Sequence, residues 1–314
     1  VNPPPLSRPG ILYALCAYGA WGLFPIYWKG FGTIPPVEVI SHRLIWSLLF
    51  LLILVTARRQ LAECLRIVRT PRLLGVLVLT AALLSFNWGL FVHGVNTGQV
   101  VETSLGYFLN PLLNVLLGFV ILRERLNRAQ IVAVLLAAAG VVYFGYHLWK
   151  VPWIALGIAT SFGLYGLLRK MVPVNPLPGL VVETAVMTPV AAALLVSMGV
   201  HGSMHFLDSP GLTLLFLGGG IVTAFPLIWF ISAAKLLPLS MLGFFQYLAP
   251  TLQLLVGIFL FHERFTPRDA IAFGLIWTAI AIFLGLSRGK PAPVPAEEIA
   301  RSSDPAPDWM TRSK

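Results

Sequence analysis

Residues 105–125 read LGYFLNPLLNVLLGFVILRER, and residues 244–264 read FFQYLAPTLQLLVGIFLFHER. Laid over each other at an offset of 139, they superimpose Leu109 on Leu248, Pro111 on Pro250, Leu113 on Leu252, Leu116 on Leu255, Gly118 on Gly257 and Glu124-Arg125 on Glu263-Arg264, without a gap. The same register runs back to Phe86 over Phe225 and Phe91 over Phe230, and forward to Phe144 over Phe283. An offset of 144 pairs Gly19, Trp21 and Gly22 with Gly163, Tyr165 and Gly166. The second half of the chain therefore repeats the first.

Working outward, the 314 residues are 57% hydrophobic and 11% charged, with a mean hydropathy of +0.83. No ordinary water-soluble domain has that balance, so the apolar surface must face lipid. Crossing the hydrocarbon core takes about 20 mostly apolar residues per helix. Ten such stretches are expected, at 10–28, 36–57, 73–95, 99–121, 129–147, 152–169, 178–199, 211–234, 238–260 and 268–287. The first has no small-residue cleavage site and carries Trp21 and Trp28, so it reads as a span and not as a signal peptide. The repeat unit holds five spans. Five is odd, so each unit ends on the side opposite its start and its copy enters the membrane upside down. That is the inverted-repeat plan of carriers that open a midplane site alternately to either side.

The fold expected is an all-α polytopic membrane protein: ten transmembrane helices as two inverted five-helix repeats. Its segments are an N-terminal cytoplasmic stretch (1–9), the first repeat (10–147), the second (152–287) and a disordered cytoplasmic tail (288–314) rich in Pro, Ala, Ser and charge.

A net charge of +10 suggests nucleic acid in a soluble protein, but here the cations sort by side. With the N-terminus inside, the cytoplasmic segments hold Arg8, Arg58, Arg59, Arg66, Arg69, Arg72, Arg123, Arg125, Arg128, Arg169, Lys170, Lys235, Arg288, Lys290, Arg301, Arg312 and Lys314. The other side holds Lys29, Lys150, Arg264 and Arg268, and Arg43 alone falls within a span. This bias places both termini in the cytoplasm and the chain in the bacterial inner membrane, with no nucleic-acid partner. Leu61, Leu65 and Val68 recur at helical spacing among arginines, which predicts a short helix lying on the headgroups. Cys16 and Cys64, the latter in a loop, read as free thiols.

Polar side chains within spans should face the bundle interior or a wet cavity. Tyr107, Asn110 and Asn114 share one face of the fourth span, and the repeat sets Gln246 opposite Tyr107 and Gln253 opposite Asn114. These are neutral hydrogen-bonding faces, for substrate or for interhelical bonds. Tyr18 and Trp21 in the first span, answered by Phe162 and Tyr165 in the sixth, make two aromatic walls able to attract an ammonium. Asn87-Trp88 lies mid-span in the third, opposite Pro226. The substrate-cavity set is thus Tyr18, Trp21, Asn87, Trp88, Tyr107, Asn110, Asn114, Tyr165, Gln246 and Gln253. A proline removes a backbone bond and can kink a helix, so Pro111, Pro226 and Pro250 are gating positions. Glu38 and His42, at i and i+4, with Arg43 next to them, form an ion-pair network or a titratable element. Glu102 and Glu183 are further carboxylates for coupling.

The motifs Trp21-Gly22 and Pro25-Ile26-Tyr27-Trp28-Lys29, Glu38 with His42-Arg43, Gly106-Tyr107-Phe108-Leu109-Asn110-Pro111, Glu183-Thr184 and Gln246-Tyr247-Leu248-Ala249-Pro250 occur in an order that resembles the drug/metabolite transporter superfamily, in its EamA-type branch and RarD-like subgroup. The similarity spans roughly residues 10–287. It implies a secondary carrier moving metabolites out of the cytoplasm, with a central cavity lined by helices 1, 3, 4, 6, 8 and 9, and relatives among YddG-type exporters of amino acids. The expected cargo is amino acids with aromatic or other apolar side chains; the alternatives are an amphenicol-type drug or another metabolite. A membrane-embedded enzyme would need clustered acids, a Ser/His arrangement or a metal motif. The six histidines are scattered; only His201 and His205, in an outer loop, have a spacing that suits a metal, and weakly. No cofactor or metal is expected. A monomer suffices for the cavity.

Overall fold

The computed structural model describes residues 7–97, 99–124 and 153–261, with isolated positions between 126 and 142 and between 274 and 282. The fifth and tenth expected spans, Glu263-Arg264 and the tail fall outside the described residues as elements. The described elements are α1 (Arg8–Lys29), α2 (Pro36–Ala57), α3 (Leu61–Arg69), α4 (Pro71–Asn96), α5 (Val100–Val120), α6 (Trp153–Met171), α7 (Pro176–Val200), α8 (Pro210–Leu236), α9 (Leu239–Gln246) and α10 (Leu248–Phe259). The described residues form no strand. Six stretches among them are long and apolar enough to cross a membrane: α1, α2, Pro71–Phe91 of α4, α7, α8, and α9 with α10 taken together.

Local chemistry sets the ends. Ser7 Oγ accepts from Gly10 N at 3.2 Å at the start of α1, and Ser209 Oγ accepts from Leu212 N at 3.2 Å at the start of α8. Each thus satisfies an amide that the first helical turn leaves open. Proline follows in the first turn of both, where its missing N–H costs nothing. Pro111 and Pro226 sit inside unbroken helices. The ninth span does break, but at Tyr247, one turn before Pro250: Gln246 O has lost its Pro250 donor, and Tyr247 N turns back to Phe244 O at 3.2 Å.

The packing is inside out. Leu12, Ile53, Val190 and Leu214 are more than half exposed, whereas Asn87, Asn110, Asn114, Glu183 and Arg169 are buried. This is the arrangement that hydrocarbon solvent demands of a helical bundle. Close approaches rely on glycine. A Cβ on Gly220 of α8 would meet the backbone of Trp46 and Ser47 in α2, and one on Gly22 of α1 would meet Leu252 of α10. Gly163 of α6 meets Leu113 of α5 in the same way. Leu113 and Leu252 are repeat equivalents at the offset of 139. Helix partners echo this: α4 packs on α6 and α8 on α1, α5 on α6 and α10 on α1, while α2 packs on α7 and α5 on α9.

One end of the bundle is tied by side chains capping foreign helix termini. Glu124 accepts from Leu239 N at 2.6 Å and from Ser240 N at 2.9 Å, so a carboxylate sits on the positive end of α9. Lys170 Nζ donates to Ala234 O at 2.9 Å and Leu237 O at 2.5 Å, and Lys235 Nζ donates to Val172 O at 2.8 Å. Gly10 rests on Leu237 at the same end, and Glu63 accepts from Asn175 Nδ2 at 2.7 Å. The segment after α2 is helical, and Cys64 lies in that helix, not in a loop: Cys64 and Ile67 dock inward while Leu61, Leu65 and Val68 stay exposed.

Candidate substrate cavity

Between the helices of the two halves lies a cavity of about 480 Å³, within the range of small-molecule sites. On α1 it runs from Tyr18, wholly buried, to Lys29, exposed at the helix end, so its mouth is at the end away from Ser7. Leu84, Asn87, Trp88 and Phe91 of α4, Tyr107 and Asn110 of α5, Phe162 of α6, Thr223 and Leu227 of α8, and Gln246, Ala249, Pro250 and Gln253 of α9 and α10 complete the wall with Ile40 and Arg43 of α2.

The blind end is aromatic. Trp21 packs edge-on against Tyr18 at 5.5 Å and Phe162 at 5.9 Å, and lies 5.7 Å from Phe230. Such pairs add about 0.5–1.5 kcal/mol each beyond burial and fix ring positions. Four amides, Asn87, Asn110, Gln246 and Gln253, stand in the wall beside Thr223, Tyr107 and the cations Arg43 and Lys29. Asn87 Nδ2 donates to Ile158 O at 2.8 Å and Ser161 Oγ at 3.0 Å, joining α4 to α6. Gln253 Nε2 donates to Trp21 O at 3.1 Å, joining α10 to α1.

Of the residues expected to line the site, Tyr18, Trp21, Asn87, Trp88, Tyr107, Asn110, Gln246 and Gln253 meet at this cavity, together with Arg43 and Pro250. Two do not. Asn114 is buried behind the wall, donating from Nδ2 to Gln246 Oε1 at 2.9 Å. Tyr165 is wholly buried, stacked on Phe230 with its hydroxyl 3.5 Å from Glu183 Oε2. In both, helical spacing gave the right helix but a face turned toward a neighbouring helix. Glu102 lies in α5, and the described residues do not include its side chain. Pro111 and Pro226 are buried in α5 and α8.

The expected Glu38–His42–Arg43 network does not form. Both Glu38 oxygens are taken by His205 from the 201–209 loop, Oε1 accepting from its backbone N at 2.7 Å and Oε2 from Nδ1 at 2.8 Å. That bond to a buried carboxylate raises the His205 pKa above its ordinary value. His201 Nδ1 instead faces Ser197 O at 2.7 Å, so the two histidines of that loop serve separate partners. His42 stacks on Phe206 with 4.6 Å between ring centres. Arg43 turns into the cavity: its Nε donates to Thr223 Oγ1 at 2.7 Å, and its guanidinium carbon lies 4.7 Å from the Phe24 ring centre and 5.7 Å from those of Trp28 and Trp88.

The sequence also placed Arg169 with the cytoplasmic cations. It is instead wholly buried, with Nε 3.5 Å from Glu183 Oε1, which also accepts from Thr80 Oγ1 at 2.5 Å. The available signal was Arg169 standing one turn from Tyr165 on the same helical face. Glu183 thereby belongs to a buried polar cluster beside the cavity and not to its wall.

With this geometry in hand, comparison with known proteins is decisive. Residues 8–146 match the model of the EamA-like transporter family. The protein RarD of Escherichia coli is 41% identical over 88% of this chain and 94% of its own. The chain belongs to the EamA-like transporter family. Within the drug/metabolite transporter superfamily it falls in the RarD-like subgroup. A Pseudomonas aeruginosa relative named chloramphenicol-sensitive protein RarD is 33% identical over 88% of this chain and 94% of its own. A crystal structure 21% identical in sequence matches the fold with a TM-score of 0.67, over 89% of this chain and 99% of that one. The chain is thus a multi-pass membrane transporter.

Proposed function

We propose that the protein exports small amphipathic metabolites, foremost amino acids with aromatic or other apolar side chains, from the bacterial cytoplasm by alternating access. The observation that carries the reading is the cavity itself: aromatic at its blind end, edged by the amides of Asn87, Asn110, Gln246 and Gln253, and open at one end of the bundle. Amide dipoles hold a zwitterion's poles, and the rings of Tyr18, Trp21 and Phe162 accept an apolar side chain.

Ten spans in two inverted repeats, with both termini cytoplasmic, are part of this proposal. The offset of 139 and the paired helix partners support the inversion. The gathering of Glu63, Glu124, Lys170 and Lys235 at the N-terminal end supports placing the basic loops together, inside. In that orientation the state described is open to the outside and closed to the cytoplasm.

Proteoliposomes holding the full-length chain are expected to take up phenylalanine or methionine well above empty vesicles, measured with and without an imposed proton gradient to establish coupling. Failure across a panel of amino acids, with uptake of chloramphenicol or sugars instead, contradicts the cargo assignment.

A further inference from the structure

Among the described residues, the cavity wall holds two cations, Arg43 and Lys29, and no Asp or Glu. Four of the described carboxylates are engaged, Glu38 with His205, Glu63 with Asn175 and Arg66, Glu124 with the start of α9, and Glu183 with Arg169 and Thr80, while Asp208 is exposed in the 201–209 loop and is no part of the cavity wall. Among the described residues, Arg43 has no ion-pair partner. Of its five N–H donors, the one on Nε goes to Thr223 Oγ1, and the guanidinium lies over the rings of Phe24, Trp28 and Trp88. The rings attract the charge through their faces but offer no acceptor in the guanidinium plane. The four N–H groups on the terminal nitrogens therefore remain as a fork, in a wall where the described residues supply no anion to meet it. A guanidinium fork matches a carboxylate in two parallel hydrogen bonds. An uncompensated cation within a low-dielectric bundle is unfavourable, and a bound anion relieves it.

We infer that Arg43 is the carboxylate-binding residue of the cavity, and that the cargo is recognised as an aromatic or apolar organic carboxylate in which an amino group is dispensable. This rests on the cavity being the transport site, and it sharpens the cargo: amino acids enter through their carboxylate, and the corresponding acids without an amine enter as well. Thr223 and the three rings orient the fork, while Lys29 at the mouth adds attraction for anions. With one fixed cation at depth, a single negative charge is matched, whereas a phosphate dianion is not.

The test is binding by the purified full-length chain in detergent at pH 7, followed by the fluorescence of Trp21, Trp28 and Trp88, which line the site. Phenylpropionate is expected to quench saturably, at least tenfold more tightly than phenethylamine, which has the same ring and the opposite charge. Arg43→Gln is expected to weaken phenylpropionate at least tenfold and to tighten phenethylamine, which then meets no like charge, with Arg43→Lys retaining most of the preference for the acid. Absence of phenylpropionate binding, or equal affinity for acid and amine, overturns the inference on the unaltered chain, so the result does not depend on a variant folding. Because binding needs no turnover, failure here leaves the carrier reading standing, whereas absent vesicle uptake with phenylpropionate binding intact overturns the carrier reading and leaves Arg43 as a carboxylate-binding residue whose ligand is not cargo.

Discussion

Arg169 Nε stands 3.5 Å from Glu183 Oε1, with both side chains withdrawn from solvent, in a bundle whose surface faces hydrocarbon. Nε and Nη1 lack hydrogen-bond acceptors, and Nη2 donates to Pro176 O at 3.1 Å, so the arginine depends on Glu183 for its counter-charge. Removing one member of a buried pair costs about 3–5 kcal/mol, whereas replacing both with apolar residues is near neutral. Glu183→Leu is therefore expected to lower the Tm in detergent sharply, and the Arg169→Met, Glu183→Leu double variant to recover most of the loss. Additive losses in the double variant would mean the pair is not coupled.

His205 makes a pH-dependent contribution. Its pKa is raised by hydrogen bonding to Glu38. A raised folded pKa means stability present in full below the unfolded value near 6.5 and lost as pH rises through the folded value. The Tm difference between the protein and His205→Gln should be largest at pH 6 and shrink by pH 9. A difference that grows with pH contradicts the assignment.

Gly220 tests the α2–α8 contact. An added Cβ would stand 2.5 Å from Trp46 O and 2.8 Å from Ser47 N, so two backbones must separate. Overpacking of this kind costs about 1–3 kcal/mol, and Gly220→Ala should lower Tm accordingly. Gly218→Ala, two residues away with nothing within 4 Å, should be neutral. Equal effects would place the contact elsewhere.

Much of this was legible in residues. Polar groups at i, i+3 and i+7 and the repeat offset brought Tyr107, Asn110 and Gln246 to one cavity, because in lipid a polar face has nowhere else to turn. What was not legible came from interhelical geometry. His205 displaces His42 as the partner of Glu38 because a loop of the second half folds over the end of α2, a contact 167 residues long. Arg169 looked like a headgroup cation from its position at a helix end, and only the reach of its side chain from α6 to Glu183 and Gly179 of α7 reveals its burial. The break at Tyr247 follows from Pro250, but its place one turn earlier depends on which carbonyl loses its donor.

The central claim is that solute crosses through the cavity of Trp21, Arg43 and Gln246. The most direct measurement is counterflow of labelled phenylalanine into proteoliposomes preloaded with the unlabelled amino acid, beside Ala249→Trp, which fills the cavity from a wall residue 8% exposed. The account predicts transient accumulation with the unaltered chain and none with Ala249→Trp at equal reconstituted protein. Equal counterflow in the two would place the path outside this cavity and contradict it.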